Sequence, residues 1–266
     1  MYKIAIDTHT HTIFSRHAFC TIGELWTEAA EARLEGFGVT DHMGRMFTQT
    51  NGDEIDTHTL FVNYSHVSSQ VSLPRIRKGV KLYRSVELCI DSKDGSLFGQ
   101  DVKDDGSVSY IHNGDGNALT SMFLSGLDYV IAGVHSLREY PSKPTESEGT
   151  SMYINAMTHP KVFILAHIYH HAFDIDEVVK VAKAMGKAIE LNEAKLGWNV
   201  DQRAREIMIR CAEIGTMISV GSDAHSFGQI GVFPKSLTML KEIGFPEELI
   251  VNGNMERFEK AINFRA

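Results

Sequence analysis

Short apolar segments alternate with stretches of helical periodicity along most of the 266-residue chain. The apolar segments predict seven strands, at residues 3–7, 37–41, 82–90, 128–134, 162–167, 188–192 and 217–222. The stretches of helical periodicity predict helices at residues 147–157, 175–185, 201–214 and 255–264, in addition to a first helix described below. This alternation is typical of βαβ units that build a parallel sheet, so the chain is predicted to have an α/β fold.

The first helix is predicted between the first two strands. The segment Thr-Ile-Gly-Glu at 21–24 has the spacing of a capping box, in which Thr21 and Glu24 each accept a hydrogen bond from the other's backbone. Gly36 is the predicted C-terminal stop of this helix, and Gly186 and Gly215 are predicted caps of two later helices.

Two stretches, at about 43–79 and 92–117, do not fit the alternation, and we interpret them as insertions on a single domain of residues 1–266. The second contains Asp-Gly turns at 94–95 and 105–106, which favour a hairpin or an irregular loop. It follows a strand at its C-terminal end and is expected to lean over a pocket there. The alternatives are that it packs beside the barrel or mediates self-association.

Composition narrows the class of protein. Hydrophobic residues make up 43% of the chain, enough for a sizeable core, and no apolar run approaches the roughly 20 residues that span a bilayer. The net charge of −8 argues against a nucleic-acid backbone as partner. Three widely spaced cysteines and an N-terminus unlike a signal peptide favour the cytoplasm. The sequence does not indicate the oligomeric state.

The informative polar residues lie at the ends of the predicted strands. In parallel α/β barrels these ends converge on one face, where active sites are built. Histidine is the commonest protein metal ligand, so this convergence predicts a metal pocket. The residues concerned are Asp7, His9, His11, Asp41, His42, Glu87, His135, His167, Glu190, Asn192, Asp223 and His225.

Spacing supports chelation at two of these ends. His9 and His11 are separated by one residue, so the alternation of a strand turns both imidazoles the same way. Asp223 and His225 repeat this spacing, although an Asx turn at Asp223 is an alternative. Glu87 interrupts an apolar run, where a buried carboxylate must be paired or coordinated unless it faces water on an edge strand.

Several histidines and one aspartate leave alternatives open. His135 and His167 are either core histidines or ligands, and Asp41 either binds metal or orients His42. His170 and His171 could line the pocket. The other histidines are interpreted as surface residues: His58, His66, His112 and His159.

The ordered motifs resemble the polymerase-and-histidinol-phosphatase (PHP) family, in particular its single-domain bacterial phosphatases with a three-metal site. They are Asp-Thr-His-Thr-His-Thr at 7–12, Thr-Asp-His at 40–42, Val-Glu at 86–87, Gly-Val-His at 133–135, Ala-His at 166–167 and Gly-Ser-Asp-Ala-His at 221–225. The resemblance implies a distorted (β/α)7 TIM-like barrel, in agreement with the strand count.

The resemblance also implies nine ligands for two to three divalent transition metal ions. It places one ion at His9 and His11, a second at His135 and His167, Glu87 and Asp223 between ions, and a third at His17, His42 and His225. The chain departs from the family where Ile168 replaces the usual proline and where the segment after Glu87 is longer. Both differences lie where the substrate would be bound, so the resemblance does not identify the substrate of this chain.

These residues predict a phosphoesterase for small phosphate monoesters. Imidazole and carboxylate ligands suit Zn, Mn or Fe, which would supply a hydroxide near neutral pH. Glu87 and Asp223 would act through the metals, Arg16 or Lys195 would neutralise the phosphate oxygens, and Asp41 could protonate the leaving group. The alternatives are an amidohydrolase-type enzyme for C–N bonds, a non-catalytic metal-binding regulatory domain, and DNA processing.

Overall fold

Strands and helices alternate along the described residues of the computed structural model, which are 2–45, 57–103 and 119–263. The strands are β1 Ile6–Thr10, β2 Gly36–Val39, β3 His42–Met43, β4 Ile76–Arg77, β5 Val80–Arg84, β6 Glu87–Cys89, β7 Val130–Gly133, β8 Val162–Leu165, β9 Ala188–Asn192 and β10 Ile218–Gly221. The helices are α1 Ile22–Glu31, α2 Thr57–Ser68, α3 Leu119–Ser125, α4 Glu146–Thr158, α5 Ile175–Met185, α6 Asp201–Ile214, α7 Pro234–Ile243 and α8 Met255–Ala261.

The strands form two sheets that share two interrupted strands. Their orders are β1-β2-β5-β4 and β10-β9-β8-β7-β6-β3, with β4 antiparallel to β5. Two residues separate β2 from β3 and two separate β5 from β6, and β2 pairs with β5 as β3 pairs with β6. Each of these pairs is therefore one strand of the barrel that passes from the first sheet to the second.

Backbone hydrogen bonds join the last barrel strand to the first. The Asp223 N–H donates to the His9 carbonyl and the His11 N–H to the Ala224 carbonyl, both at 2.9 Å. Seven parallel strand positions thus follow one another around a distorted barrel, which confirms the predicted (β/α)7 TIM-like fold.

Aromatic packing fills the N-terminal end of the barrel. Phe258 of α8 is fully buried, and its ring centroid lies 5.1 Å from that of Tyr83 and 5.4 Å from that of Tyr129, both edge-on. Phe163 approaches the same ring at 6.1 Å. These edge-to-face contacts are favourable geometries for buried rings. Helix α8 therefore covers the N-terminal end of the barrel, and the polar strand ends lie at the opposite end.

The predicted helix caps are confirmed except for Gly36. Thr21 and Glu24 form both hydrogen bonds of the capping box. Gly186 and Gly215 cap their helices in the left-handed conformation. Gly36 instead opens β2, because α1 already ends at Glu31. A Cβ at Gly36 would lie 2.8 Å from Cε2 of Tyr83, so close strand packing explains this glycine.

Strand β1 begins at Ile6 and runs to Thr10, later than the predicted 3–7. Its whole length is buried, including Asp7 and His9. The polar side chains that indicate the end of a strand are therefore part of it. They remain buried because they bond to one another and to neighbouring backbone, which hydropathy alone does not reveal.

The two irregular stretches are partly regular. Helix α2 lies between β3 and β5 in the chain, at the position of a crossover helix of a βαβ unit. After β6 the chain turns back on itself, with the Phe98 N–H bonded to the Cys89 carbonyl at 2.9 Å. Asn155 of α4 donates to the Asp94 carbonyl at 2.8 Å, so the predicted turn at 94–95 packs beside the barrel. The turn at 105–106 lies outside the described residues.

Two further observations concern the environment of the chain. Cys20, Cys89 and Cys211 are free thiols, and all three are buried. Across the ranges that the structure describes, no helix combines the length and the apolar character needed to cross a membrane.

Candidate metal centre

The structure brings all nine predicted ligands into one connected cluster at the C-terminal ends of the barrel strands. Glu87 lies at its middle, at the start of β6, with its side chain fully buried. Its Oε1 lies 2.7 Å from Nε2 of His167 and 3.2 Å from Nε2 of His135. Its Oε2 faces three other imidazoles: His42 Nδ1 at 2.8 Å, His9 Nε2 at 3.2 Å and His11 Nε2 at 3.5 Å. The two oxygens therefore serve two separate groups of histidines.

Asp223 is the second carboxylate of the cluster and follows β10. Its Oδ1 lies 3.1 Å from Nε2 of His11 and 3.4 Å from Nδ1 of His225. Its Oδ2 lies 3.0 Å from Nζ of Lys195 and accepts from Nδ2 of Asn192 at 3.2 Å. Asp223 has φ 54°, which is strained for a residue with a Cβ. Such strain is concentrated at functional sites, where the surrounding structure enforces it.

The outer end of the cluster is formed by the first βα loop. His17 lies there, and its Nε2 is 2.8 Å from Nε2 of His225. The His17 ring also stacks on His42, with centroids 5.0 Å apart. The His225 ring lies 4.2 Å from that of His11. The loop residue predicted from the family resemblance is thus in contact with ligands that follow other strands.

The side chains fit divalent transition metal ions. Glu87 Oε2, Asp223 Oδ1 and His135 Nε2 are buried and form no hydrogen bond, although imidazole or carboxylate atoms lie close to each. Buried polar atoms are normally hydrogen-bonded, so converging orphaned atoms indicate a cation between them. Mixed nitrogen and oxygen donors suit Zn, Mn or Fe. Three groups have ligand atoms within 4.8 Å of one another: His9, His11 and Asp223; His42, Glu87 and His135; His11, His42 and His225.

Charges in the cluster divide the metal-free histidines into two kinds. Burial alone would lower the pKa of His9, but the carboxylates, Glu190 foremost, raise it well above its usual value. Against the same effect of burial, Glu87 raises the pKa of His135 to about 10. Burial would raise the pKa of Glu87, but His135, His9 and other imidazoles hold it well below its usual range. His9 and His135 are therefore protonated partners of buried carboxylates at neutral pH.

His11 and His42 behave oppositely. Burial lowers the pKa of His42 to about 4. Burial is also the largest cause that lowers the pKa of His11 well below its usual value, and repulsion from His42 adds to it. Both rings are neutral near pH 7, which leaves a lone pair on each for a cation.

Asp41 organises the first loop. It accepts hydrogen bonds from the Thr12 backbone and hydroxyl, both at 2.7 Å, and from the Ser15 hydroxyl at 2.6 Å. The Ser15 oxygen lies 3.0 Å from Nδ1 of His11 and accepts from the His42 backbone at 3.2 Å. The sequence leaves open whether Asp41 binds metal or orients a ligand. These contacts favour the second role, because Asp41 acts on His11 and His42 through Ser15.

The two predicted substrate-binding cations are placed differently. Lys195 contacts Asp223 with a third of its side chain exposed. Burial would lower its pKa, but Asp223 and other carboxylates raise it, so it remains charged. Arg16 is exposed, with φ 62°, in the loop that carries His17.

Several further residues take part in or border the centre. Glu190 and Asn192, to which the sequence assigns a strand end but no role, are both buried within it. The signal for Glu190 is the same as for Glu87, a carboxylate inside an apolar strand. His66, predicted to be a surface histidine, is half-buried, and its ring stacks on Phe14 of the first loop at 5.3 Å. His58 has no described side chain and His112 lies outside the described residues.

The fold and the site together define an α/β-barrel protein with a histidine–carboxylate centre whose side chains fit divalent metal ions. The PHP domain model matches residues 7–196, more than two thirds of the chain, so the chain belongs to the PHP-domain family.

Similar proteins match nearly the whole chain. A probable phosphatase of Clostridium botulinum strain Hall is 34% identical over 262 residues, which cover 97% of this chain and 94% of the relative. A probable phosphatase of Acetivibrio thermocellus is 30% identical over 264 residues, covering 98% and 95%. The structure of histidinol phosphate phosphatase from Lactococcus lactis, complexed with zinc, L-histidinol and phosphate, has a TM-score of 0.55. At 18% identity over 91% of this chain and 94% of that one, this likeness shows the fold.

Proposed function

We propose that the protein is a metal-dependent phosphatase that hydrolyses small phosphate monoesters at this centre, with two to three divalent transition metal ions. The observation that carries the proposal is the position of Glu87 and Asp223, two buried carboxylates that each lie between imidazoles from different strands. The names of the relatives, probable phosphatase, and the phosphate in the Lactococcus structure support the choice of substrate class.

The ligand groups favour ions that share carboxylates. His9 and His11 with Asp223 would hold one ion and Glu87 with His135 a second, and Oε2 of Glu87 also faces His9 and His11. His167 lies close enough to Glu87 to join the second group. The outer histidines would hold a third: His17, His42 and His225. When bound, such ions lower the pKa of a coordinated water and neutralise charge on the phosphoryl oxygens.

The chain's own residues would bind and orient the ester. Lys195, charged and partly exposed beside Asp223, is placed to contact a phosphate oxygen. Arg16, exposed in the first loop, would attract the anionic substrate. Asp41 would hold the loop through Thr12 and Ser15, and could protonate a leaving alcohol only if that hydrogen bonding were rearranged.

A substrate panel tests this proposal. Metal-free protein reloaded with Zn, Mn or Fe should hydrolyse phosphate monoesters, among which histidinol phosphate is the first to test because of the Lactococcus structure. The same preparations should leave phosphodiesters and amides of similar size largely intact. Hydrolysis of amides in preference to phosphate esters would favour the amidohydrolase alternative. A loaded protein inactive on every ester would favour a regulatory metal-binding domain.

A further inference from the structure

Glu190 is a fully buried carboxylate of β9 that contacts one proposed ligand directly. Its Oε1 lies 2.6 Å from Nδ1 of His9. Its Oε2 accepts two other hydrogen bonds, from the His167 backbone N–H and from Nδ2 of Asn192, both at 3.0 Å. One oxygen therefore serves an imidazole and the other holds the end of the neighbouring strand.

We propose that Glu190 is the positioning residue for His9 in the metal centre. By accepting a hydrogen bond from Nδ1–H it keeps that proton on Nδ1, so His9 would lose its other proton on binding metal and present the lone pair of Nε2 to the cluster. That nitrogen lies 3.2 Å from Oε2 of Glu87 and 3.0 Å from Nε2 of His11. The inference rests on the proposed metal centre, but not on the identity of the substrate.

The adjacent strand leaves space for this contact. On β10, Gly221 pairs with Asn192, two residues beyond the pair of Ser219 and Glu190. A Cβ at Gly221 would lie 2.5 Å from Oε1 of Glu190 and 2.8 Å from Cβ of His9. The glycine at this position is therefore required by the approach of Glu190 to His9. Alanine at Gly221 disturbs the same contact from another strand.

The two oxygens of Glu190 make glutamine a diagnostic substitution. In Glu190→Gln the amide oxygen would stay with the two donors, His167 N–H and Asn192, because an amide NH2 cannot accept from them. The NH2 group would then face Nδ1 of His9 and donate to it. His9 would have to carry its proton on Nε2, the atom proposed to bind metal. The substitution thus preserves the contacts of the strand end and inverts the tautomer.

The experiment compares metal release from wild type, Glu190→Gln and a matched control, Ser219→Ala. Ser219 pairs with Glu190 across the strands and is bonded to Thr8 at 2.7 Å, so its loss removes a buried hydrogen bond away from the ligands. Zinc-loaded proteins are mixed with a colorimetric chelator, and the zinc affinity and release rate are measured. Histidine 15N spectra of the loaded proteins report the tautomer of His9.

The expected result is a loss of zinc affinity of about ten- to a hundred-fold in Glu190→Gln, with a changed 15N pattern for His9. Ser219→Ala should match wild type in both measurements. Gly221→Ala should weaken zinc binding in the same direction, which keeps the proposal testable if Glu190→Gln does not fold.

Two outcomes would overturn the inference. One is wild-type zinc release by Glu190→Gln together with an unchanged His9 tautomer. The other is an equal loss of affinity in Ser219→Ala, since the effect would then reflect general disturbance of the strand pair. Wild-type protein that binds zinc through this contact and yet hydrolyses no phosphate ester would refute the proposed function and leave the role of Glu190 standing.

Discussion

Replacing Glu87 with glutamine removes the charge at the middle of the metal centre while keeping the shape of the side chain. In the wild type, Oε1 faces His135 and His167, whereas Oε2 faces His42, His9 and His11. An amide offers one neutral oxygen to one of these groups and an NH2 to the other. We therefore expect Glu87→Gln to lose at least one bound metal ion.

The expected effect on catalysis follows from what a metal ion contributes. Stabilisation of charge in the transition state by a bound ion is worth several kcal/mol. At about 1.4 kcal/mol for each factor of ten, its loss lowers kcat on the order of a thousandfold. The metal-free variant should also be less stable by about 3–5 kcal/mol near pH 7, because the protonated His9 and His135 lose a buried counter-charge.

Metal content is measured by elemental analysis, catalysis by kcat for an aryl phosphate, and stability by urea unfolding of the metal-free protein. Glu193→Gln is a matched control, since Glu193 is also a buried carboxylate and accepts from the Lys235 and Ser236 backbone at the start of α7. The control should lose stability but keep its metal and its kcat. A Glu87→Gln protein with full metal content and kcat within about tenfold of wild type would refute the bridging role of Glu87.

Three further outcomes are expected. Loading the metal-free protein with metal near pH 7 should release about two protons per chain, because His9 and His135 have raised pKa values and must deprotonate to bind a cation. A pH-indicator dye measures this release, and its absence would contradict the assignment of these two histidines as protonated. Lys195→Met should raise KM for phosphate esters by about tenfold, through the loss of one charged hydrogen bond, with unchanged metal content. Gly149→Ala should lower the free energy of unfolding in urea by about 1–3 kcal/mol, because the new Cβ would lie 2.0 Å from the Ala172 carbonyl oxygen. This loss is expected although alanine has the better helix propensity. Unchanged stability would show that α4 shifts freely.

The sequence predicts the location of the centre well because polar residues interrupt apolar strands at equivalent positions. Parallel strands bring their C-terminal ends together, so His9, Glu87 and Asp223 can be placed on one face without knowledge of any contact between them. The seven strands follow from the same pattern, and the structure confirms them.

What the sequence does not predict are partnerships between distant residues. His9 and Glu190 are 181 positions apart, and nothing local shows that one orients the other. The same holds for Gly36 and Gly221, whose need for a small side chain comes from a neighbouring strand and not from the turn chemistry of their own segments. The predicted start of β1 is too early because buried polar residues resemble the end of a strand until their partners are known.

The charges of the centre predict the order in which metal ions and the proposed substrate bind. Three carboxylates contact the imidazoles of the metal-free centre directly: Glu87, Glu190 and Asp223. Lys195 and the protonated His9 and His135 balance them, so the local charge is close to zero. Two divalent ions that displace two protons would bring the local charge to about +2, in a buried site where charge acts strongly.

A phosphate dianion should therefore bind only after the metals. Titration calorimetry with inorganic phosphate should show binding to the zinc-loaded protein, with affinity falling as salt is added, and none to the metal-free protein at the same concentration. Equal phosphate affinity in both forms would mean that Lys195 and Arg16, and not the metal centre, provide the attraction. The bound metals would then serve another purpose than holding the substrate, and the proposed phosphatase mechanism would be wrong.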